Sequence, residues 1–251
     1  MKTNIERALE YFRMKEYFTA EELWDFWKEK DHDLNHNTFY RRVNRLKNET
    51  DLTEIRTNTY TFSGKPHFIP QKEMMFQRIA HIFEERFTDI DYCIWQTAWL
   101  HEFMIHQPSR QFIIFETEKD VVESVFFLLK SSEWQVFLNA DNTIIDYLSM
   151  EDKKVIVVKS LISRSPLLIQ EEISIPSLEK ILIDVFCDAK LFSPYSGQEL
   201  SNIYKYAQKK YRINYSRMLN YADRRNKKKE VLELVLQFVD ESLKKILNDL
   251  K

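Results

Sequence analysis

The stretch HNTFYRRVNRLKNET, residues 36–50, sets three arginines and a lysine around three regularly spaced apolar residues, with no acid before Glu49. Phe39, Val43 and Leu46 fall at i, i+4 and i+7, the spacing of one helical face. That stripe is expected to be buried, which turns Tyr40, Arg41, Arg42, Asn44 and Arg45 elsewhere. Asn37 is expected to cap this helix, which should run to about Lys47. Whether the basic face is merely solvated or is laid against a polyanion depends on its neighbours.

Upstream, Ile5, Ala8, Leu9 and Phe12 recur at helical spacing, and Thr19-x-x-Glu22 is a capping box that opens a second helix with Leu23, Phe26 and Trp27 on one face. The segment from Asp31 to Asn37 is turn-rich. Downstream, Leu52 to Arg56 and Thr59 to Phe62 read as short strands joined by a Thr57-Asn58 turn. Three helices with a short turn before a basic third one, then a hairpin, form the winged helix-turn-helix pattern. In that pattern the third helix enters the major groove and the hairpin touches the flanking backbone. Arginine suits the role because its planar fork matches guanine O6 and N7, or phosphate. The expected DNA-binding residues are Asn37, Thr38, Tyr40, Arg41, Arg42, Asn44 and Arg45 on the helix, with Arg56, Asn58 and Lys65 in the wing. The competing readings are a solvated basic face, or a winged domain that contacts protein and reads no DNA.

Ser63-Gly64-Lys65-Pro66 and Pro70 break the chain, so a boundary is expected there, with residues 1–70 as the winged domain and 71–251 as the second. In the second domain, helices are expected over Gln71 to Phe87, Gln96 to His106 and Lys119 to Lys130. Strands are expected at Asp91 to Trp95, Phe112 to Phe115, Trp134 to Leu138, Val155 to Val158 and Leu167 to Ile175. From about 177 the pattern is helical, first through Leu178, Ile181, Leu182, Val185, Phe186 and Ala189, then over about 198–210, 215–226 and 229–249. The expected fold class is α+β: a winged helix-turn-helix domain, then a mixed α/β domain that ends in a helical, partly basic segment.

Composition removes several function classes. Gly64 and Gly197 are the only glycines, where average usage is about 7%. Two isolated glycines cannot write a phosphate-binding loop, a dinucleotide fingerprint or a nucleophile elbow. Cys93 and Cys187 lie far apart in apolar surroundings and read as buried free thiols of an intracellular protein. The start MKTNIERALEYF is charged and amphipathic, unlike a signal peptide, and no apolar run nears the roughly 18 residues of a membrane span. A cytoplasmic location is therefore expected. The net charge of −2 hides a segment, 71–189, with 11 basic and 20 acidic residues, and another, 190–229, with 11 basic and 2 acidic. Such asymmetry either steers an anionic partner or lets one half dock on the other.

The winged pattern, the mixed middle and the segment ISIPSLEKILIDVFCDAKL (173–191) together resemble the abortive-infection AbiEi antitoxins, the repressor components of type IV toxin–antitoxin systems. In that family a strand leads into a helix with a Glu-basic-x-Leu-x-Asp run, matched by Glu179, Lys180, Leu182 and Asp184. The aromatic stretch WQTAWLHEFMIHQP (95–108) departs from the pattern of the better-known members and places the chain in a separate branch. The resemblance implies a winged domain that represses its own promoter, with Arg41, Arg42 and Arg45 on the operator. It also implies a region beyond Gln71 that opposes a nucleotidyltransferase-type toxin.

Other chemistry competes with this reading. FETEKD (115–120) sets Glu116, Glu118 and Asp120 at a strand end, where carboxylates hold Mg2+ in many nucleases. Glu151-Asp152-Lys153 has the letters of a nuclease's second element but precedes its strand. Capping of the following helix accounts for Glu118 and Asp120. His101 and His106 stand five apart, off a common helical face, and no zinc pattern is present. A possible second basic surface collects Lys209, Lys210, Arg212, Arg217, Arg224, Arg225, Lys227 and Lys228 among Tyr204, Tyr211, Tyr215 and Tyr221. The alternative is that those tyrosines pack helices while the cations stay solvated. The expectation is a non-catalytic, DNA-binding transcription regulator without metal or cofactor, the autorepressing antitoxin of its operon. Behind it stand a protein-interaction module and, third, a metal-dependent nuclease.

Overall fold

The computed structural model describes residues 3–62, 64–71, 73–109, 111–132, 134–139 and 155–248. The chain opens with α1 (Asn4–Phe12), a two-residue strand β1 (Phe18–Thr19), α2 (Ala20–Lys28) and α3 (His36–Glu49). A hairpin of β2 (Leu52–Arg56) and β3 (Thr59–Phe62) follows. Thr3 and Thr19 both close full capping boxes, with Glu6 and Glu22, so α1 and α2 start where their sequence signals lie. Residue Asn35, and not Asn37, caps α3: its side chain accepts the Thr38 N–H at 2.9 Å, and the helix begins two residues earlier than the spacing of its apolar stripe implied. β1 adds to β3 through Phe18 opposite Tyr60, which completes a three-stranded antiparallel sheet in the order β1-β3-β2. One apolar cluster, running from Ile5 to Tyr60, packs these elements around Phe12, Phe18, Trp27 and Phe39.

Beyond it come α4 (Met74–Glu84), β4 (Tyr92–Gln96), a 3-10 turn at Thr97–Phe103 in place of the expected α-helix, and β5 (Phe112–Thr117). The expected helix at 119–130 divides into a short 3-10 turn, Lys119–Val121, and α5 (Val122–Lys130). Glu118 does not cap it; its carboxylate accepts the Asp91 N–H across the sheet at 3.1 Å. Next are β6 (Gln135–Leu138) and β7 (Val155–Ser160). The four strands form one sheet in the order β4-β5-β7-β6, with β5, β7 and β6 parallel and β4 antiparallel at the edge. Because this sheet is covered on both faces, its central strands open with four-residue apolar runs, Phe112–Phe115 and Val155–Val158, and β4 and β5 are buried at every position.

Residues 167–175 are two strands, not one. β8 (Leu167–Gln170) and β9 (Ile173–Pro176) pair antiparallel around Glu171 and Glu172, both at positive φ. Two successive left-handed residues are the geometry of the tightest hairpin turn, usually written with Asn-Gly. Two glutamates there hide the turn from a reading by residue type. The C-terminal helices are α6 (Leu178–Cys187), α7 (Gln198–Lys210), α8 (Tyr215–Arg224), α9 (Lys228–Val235) and α10 (Glu241–Asn248). The single helix expected over 229–249 is broken before Asp240, whose carboxylate accepts the Leu243 N–H at 2.8 Å and starts α10. These helices join the large sheet in a second apolar cluster from Ile55 to Leu247.

The first unit is fastened to the C-terminal helices by polar contacts. The Thr57 N–H donates to the Ser216 hydroxyl at 2.9 Å, and Tyr17 donates to Asp240 at 3.2 Å. Ser242 donates to Glu16 at 2.8 Å, and the Arg212 N–H to the Pro66 carbonyl at 3.0 Å. No helix among the described residues is long and apolar enough to cross a membrane.

Candidate functional site

Helix α3 buries Phe39, Val43 and Leu46 and exposes Asn37, Tyr40, Arg41, Asn44 and Arg45 on the opposite side. Thr38 is half-buried at the edge of this face. The three arginines do not share one environment. Arg41 makes one long contact, to the Thr38 hydroxyl at 3.5 Å, and has no carboxylate partner among the described residues. Arg45 is paired along the helix with exposed Glu49 at 2.6 Å, a contact that solvent screens. Arg42 turns inward, over the Trp27 ring and onto Asp31 at 2.5 Å. It braces α3 against the turn that precedes it, so its guanidinium is not part of the outward face.

The hairpin residues are also placed by internal contacts. Arg56 donates to the Ile246 carbonyl of α10 at 3.2 Å, and Lys65 to the Gln208 carbonyl of α7 at 2.8 Å. Asn58 holds the turn at φ 58°, with its N–H on Glu54 at 3.1 Å. With Thr57 on Ser216, the hairpin tip faces the body of the protein.

The basic segment after 205 does not assemble into one surface. Lys210 pairs with Glu102, Lys227 with Glu230, and Arg212 donates to the Lys65 carbonyl. Arg225 turns inward to Asp184 and Asp188, while Lys209 is exposed and Lys228 half-buried. Tyr204, Tyr215 and Tyr221 are buried, and Tyr211 is half-buried against Phe68 and Phe103. What remains of that segment is Arg217 and Arg224, which line a polar cleft of about 580 Å3. Arg164 faces them from the turn before β8, and Thr57 of the hairpin closes one side. Nothing in the spacing ties residue 164 to 217; only the fold brings them together.

The charged centre of the second unit is buried. Glu116 of β5, Lys180 and Asp184 of α6 have no solvent exposure. Lys180 bridges the two carboxylates, Lys159 of β7 joins Asp188, and Arg225 reaches both Asp184, at 3.0 Å, and Asp188. Tyr221 donates to Asp184 at 2.8 Å. Burial pushes the Lys180 ammonium down, but Asp184 and Glu116 outweigh it and hold Lys180 well above the ordinary lysine value. Burial likewise pushes Asp184 up, and Lys180, Lys159 and Arg225 bring it below the ordinary carboxylate value. Three cations answer three anions, an arrangement that suits a structural clamp better than proton transfer.

Glu116 therefore faces ammonium groups and not an open metal position. No group of histidines, cysteines or acids able to hold a metal occurs among the described residues, and Glu151-Asp152-Lys153 lie outside them. His101 is half-buried, and burial pushes it down from its ordinary value. The His106 backbone N–H donates to Glu199 at 3.1 Å. Cys93 is buried and Cys187 half-buried, both as free thiols; burial pushes Cys187 up to about 11. The run Glu179, Lys180, Leu182 and Asp184 is interior throughout: Glu179 accepts the Asn214 N–H at 2.9 Å, and Leu182 is core.

The class defined by these features is a mixed α/β protein that joins a small helical unit with an outward basic helix to a larger sheet-and-helix body. The family model described as a family of unknown function (DUF6577) matches residues 38–241, and the chain belongs to that family. No curated protein matches the chain.

Proposed function

We propose that the chain is a non-catalytic, sequence-reading DNA-binding protein that docks α3 in the major groove of its own promoter. The observation that carries this is the outward face of α3, where Asn37, Tyr40, Arg41, Asn44 and Arg45 project from a helix anchored by Phe39, Val43 and Leu46. The order helix, strand, helix, helix, hairpin with a three-stranded sheet supports a winged helix-turn-helix reading of residues 1–70. In this reading Arg41 and Arg45 contact guanine or phosphate, Asn37 and Asn44 contact base edges, and Arg42 positions the helix. The role of autorepressing, cytoplasmic antitoxin, with a nucleotidyltransferase-type toxin as its partner, rests on the resemblance of residues 173–191.

The test is fluorescence anisotropy with the chain's own upstream duplex and a scrambled one, at several salt concentrations. Selective binding to the upstream duplex is expected. The double variant R41A/R45A should bind more weakly, with a log–log salt slope shallower by about two for two lost phosphate contacts. Equal, weak binding to both duplexes, unchanged in the variant, would sink the reading. One observation favours a second reading, a protein-interaction module: the hairpin tip is held on Ser216 and does not project toward a duplex. In that case neither duplex is bound at low salt.

A further inference from the structure

The cleft between the hairpin and α8 has a charge imbalance that no acid among the described residues resolves. Arg164, Arg217 and Arg224 line its wall of about 580 Å3. Arg164 and Arg217 have no carboxylate partner among the described residues, and Arg224 donates only to the Ser163 hydroxyl, at 2.9 Å. Glu54 is the one acid on the wall, and both its oxygens are engaged, by Lys47 at 2.6 Å and by the Asn58 N–H at 3.1 Å. In the buried clamp beneath, by contrast, three cations are matched by three acids. Three guanidinium groups around one polar concavity repel one another until an anion enters, and their forked donors match the tetrahedral oxygens of phosphate.

We propose that this cleft is a binding site for a phosphate group, carried either by a small nucleotide-like ligand or by the backbone of a bound polynucleotide. Arg164, Arg217 and Arg224 supply the charge, and the Asn220 side chain supplies a further donor on the same wall. Its floor is Tyr221, fixed through its hydroxyl to Asp184, so the cleft wall is held by the buried clamp. Its rim is Thr57 of the hairpin, so a bound phosphate lies against the joint between the two units. The site is separate from the outward face of α3, and its existence does not depend on that helix reading DNA.

The experiment is calorimetric titration of the full chain with inorganic pyrophosphate, with adenosine monophosphate and with a short duplex, each at low and moderate salt. Four proteins are compared: wild type, R217A, the triple variant R164A/R217A/R224A, and R41A. The three cleft arginines are exposed, so the variants should keep the wild-type circular dichroism, and R217A alone serves if the triple variant does not. Saturable binding of pyrophosphate or adenosine monophosphate is expected. It should be about tenfold weaker for each arginine lost and unchanged in R41A. If only the duplex loses affinity with the cleft variants, the phosphate comes from a polynucleotide backbone, and the site stands. Loss in R41A alone would fail the cleft while leaving the α3 reading intact. Binding of all three probes unaffected by R217A and by the triple variant, or no binding of any probe, overturns the proposal.

Discussion

Lys180 is the residue on which the second unit turns. It has no solvent exposure and touches Glu116 and Asp184, which have none either. Removing the ammonium leaves two carboxylates without their shared partner in a dry interior. K180M is therefore expected to lose about 3–5 kcal/mol of stability, measured by urea unfolding. Asp184 makes the complementary prediction in pH. Its carboxyl is held below the ordinary value, so its contribution is complete above the unfolded value of about 3.9 and is lost as pH falls through the folded one. D184N should be less stable than wild type at neutral pH, with a flatter loss of stability on acidification. A variant whose acid unfolding curve keeps the wild-type slope would show that other carboxylates govern it.

At the scale of elements, α3 illustrates how local chemistry sets a boundary. Of the polar residues that precede the apolar stripe, Asn35, His36, Asn37 and Thr38, it is Asn35 whose side chain takes the Thr38 N–H. N35A should cost about 1 kcal/mol of stability, whereas N37A, on an exposed position, should stay within about 0.5 kcal/mol of wild type. Thermal unfolding of the two variants distinguishes the caps directly. The hairpin of β8 and β9 shows the opposite situation: its turn works through backbone geometry at Glu171 and Glu172, with no residue type to announce it.

Across the whole molecule, what could be read from the letters follows the range of the interactions. β2 and β3 end where their residue types and the Thr57-Asn58 turn place them, and α7 covers its expected span, because those signals are local. β1 has two residues and exists only by pairing with β3, so no periodicity could reveal it. Arg56 and Lys65 read as wing cations, yet the second unit offers them carbonyls 190 and 143 residues away in sequence. The same holds for the clamp and the cleft. Glu116, Lys159, Lys180 and Arg225 are scattered polar letters until β5, β7, α6 and the end of α8 come together. Charge asymmetry between segments 71–189 and 190–229 had two readings, and Lys210 with Glu102 and Arg225 with Asp184 show internal docking absorbing part of it.

The clamp joins residues that are separated by as much as 109 positions, and it cannot close until the sheet and two helices have met. Water must leave Glu116, Lys180 and Asp184 entirely, and most of the other three groups, at that moment, so the closure is expected late on the folding route, after the barrier that orders the strands. Such a contact governs how long the native state lasts more than how fast it is reached. In stopped-flow chevrons, K180M should unfold much faster than wild type while refolding at nearly the wild-type rate. A refolding limb that slows in step with the lost stability would instead place the clamp in the nucleus.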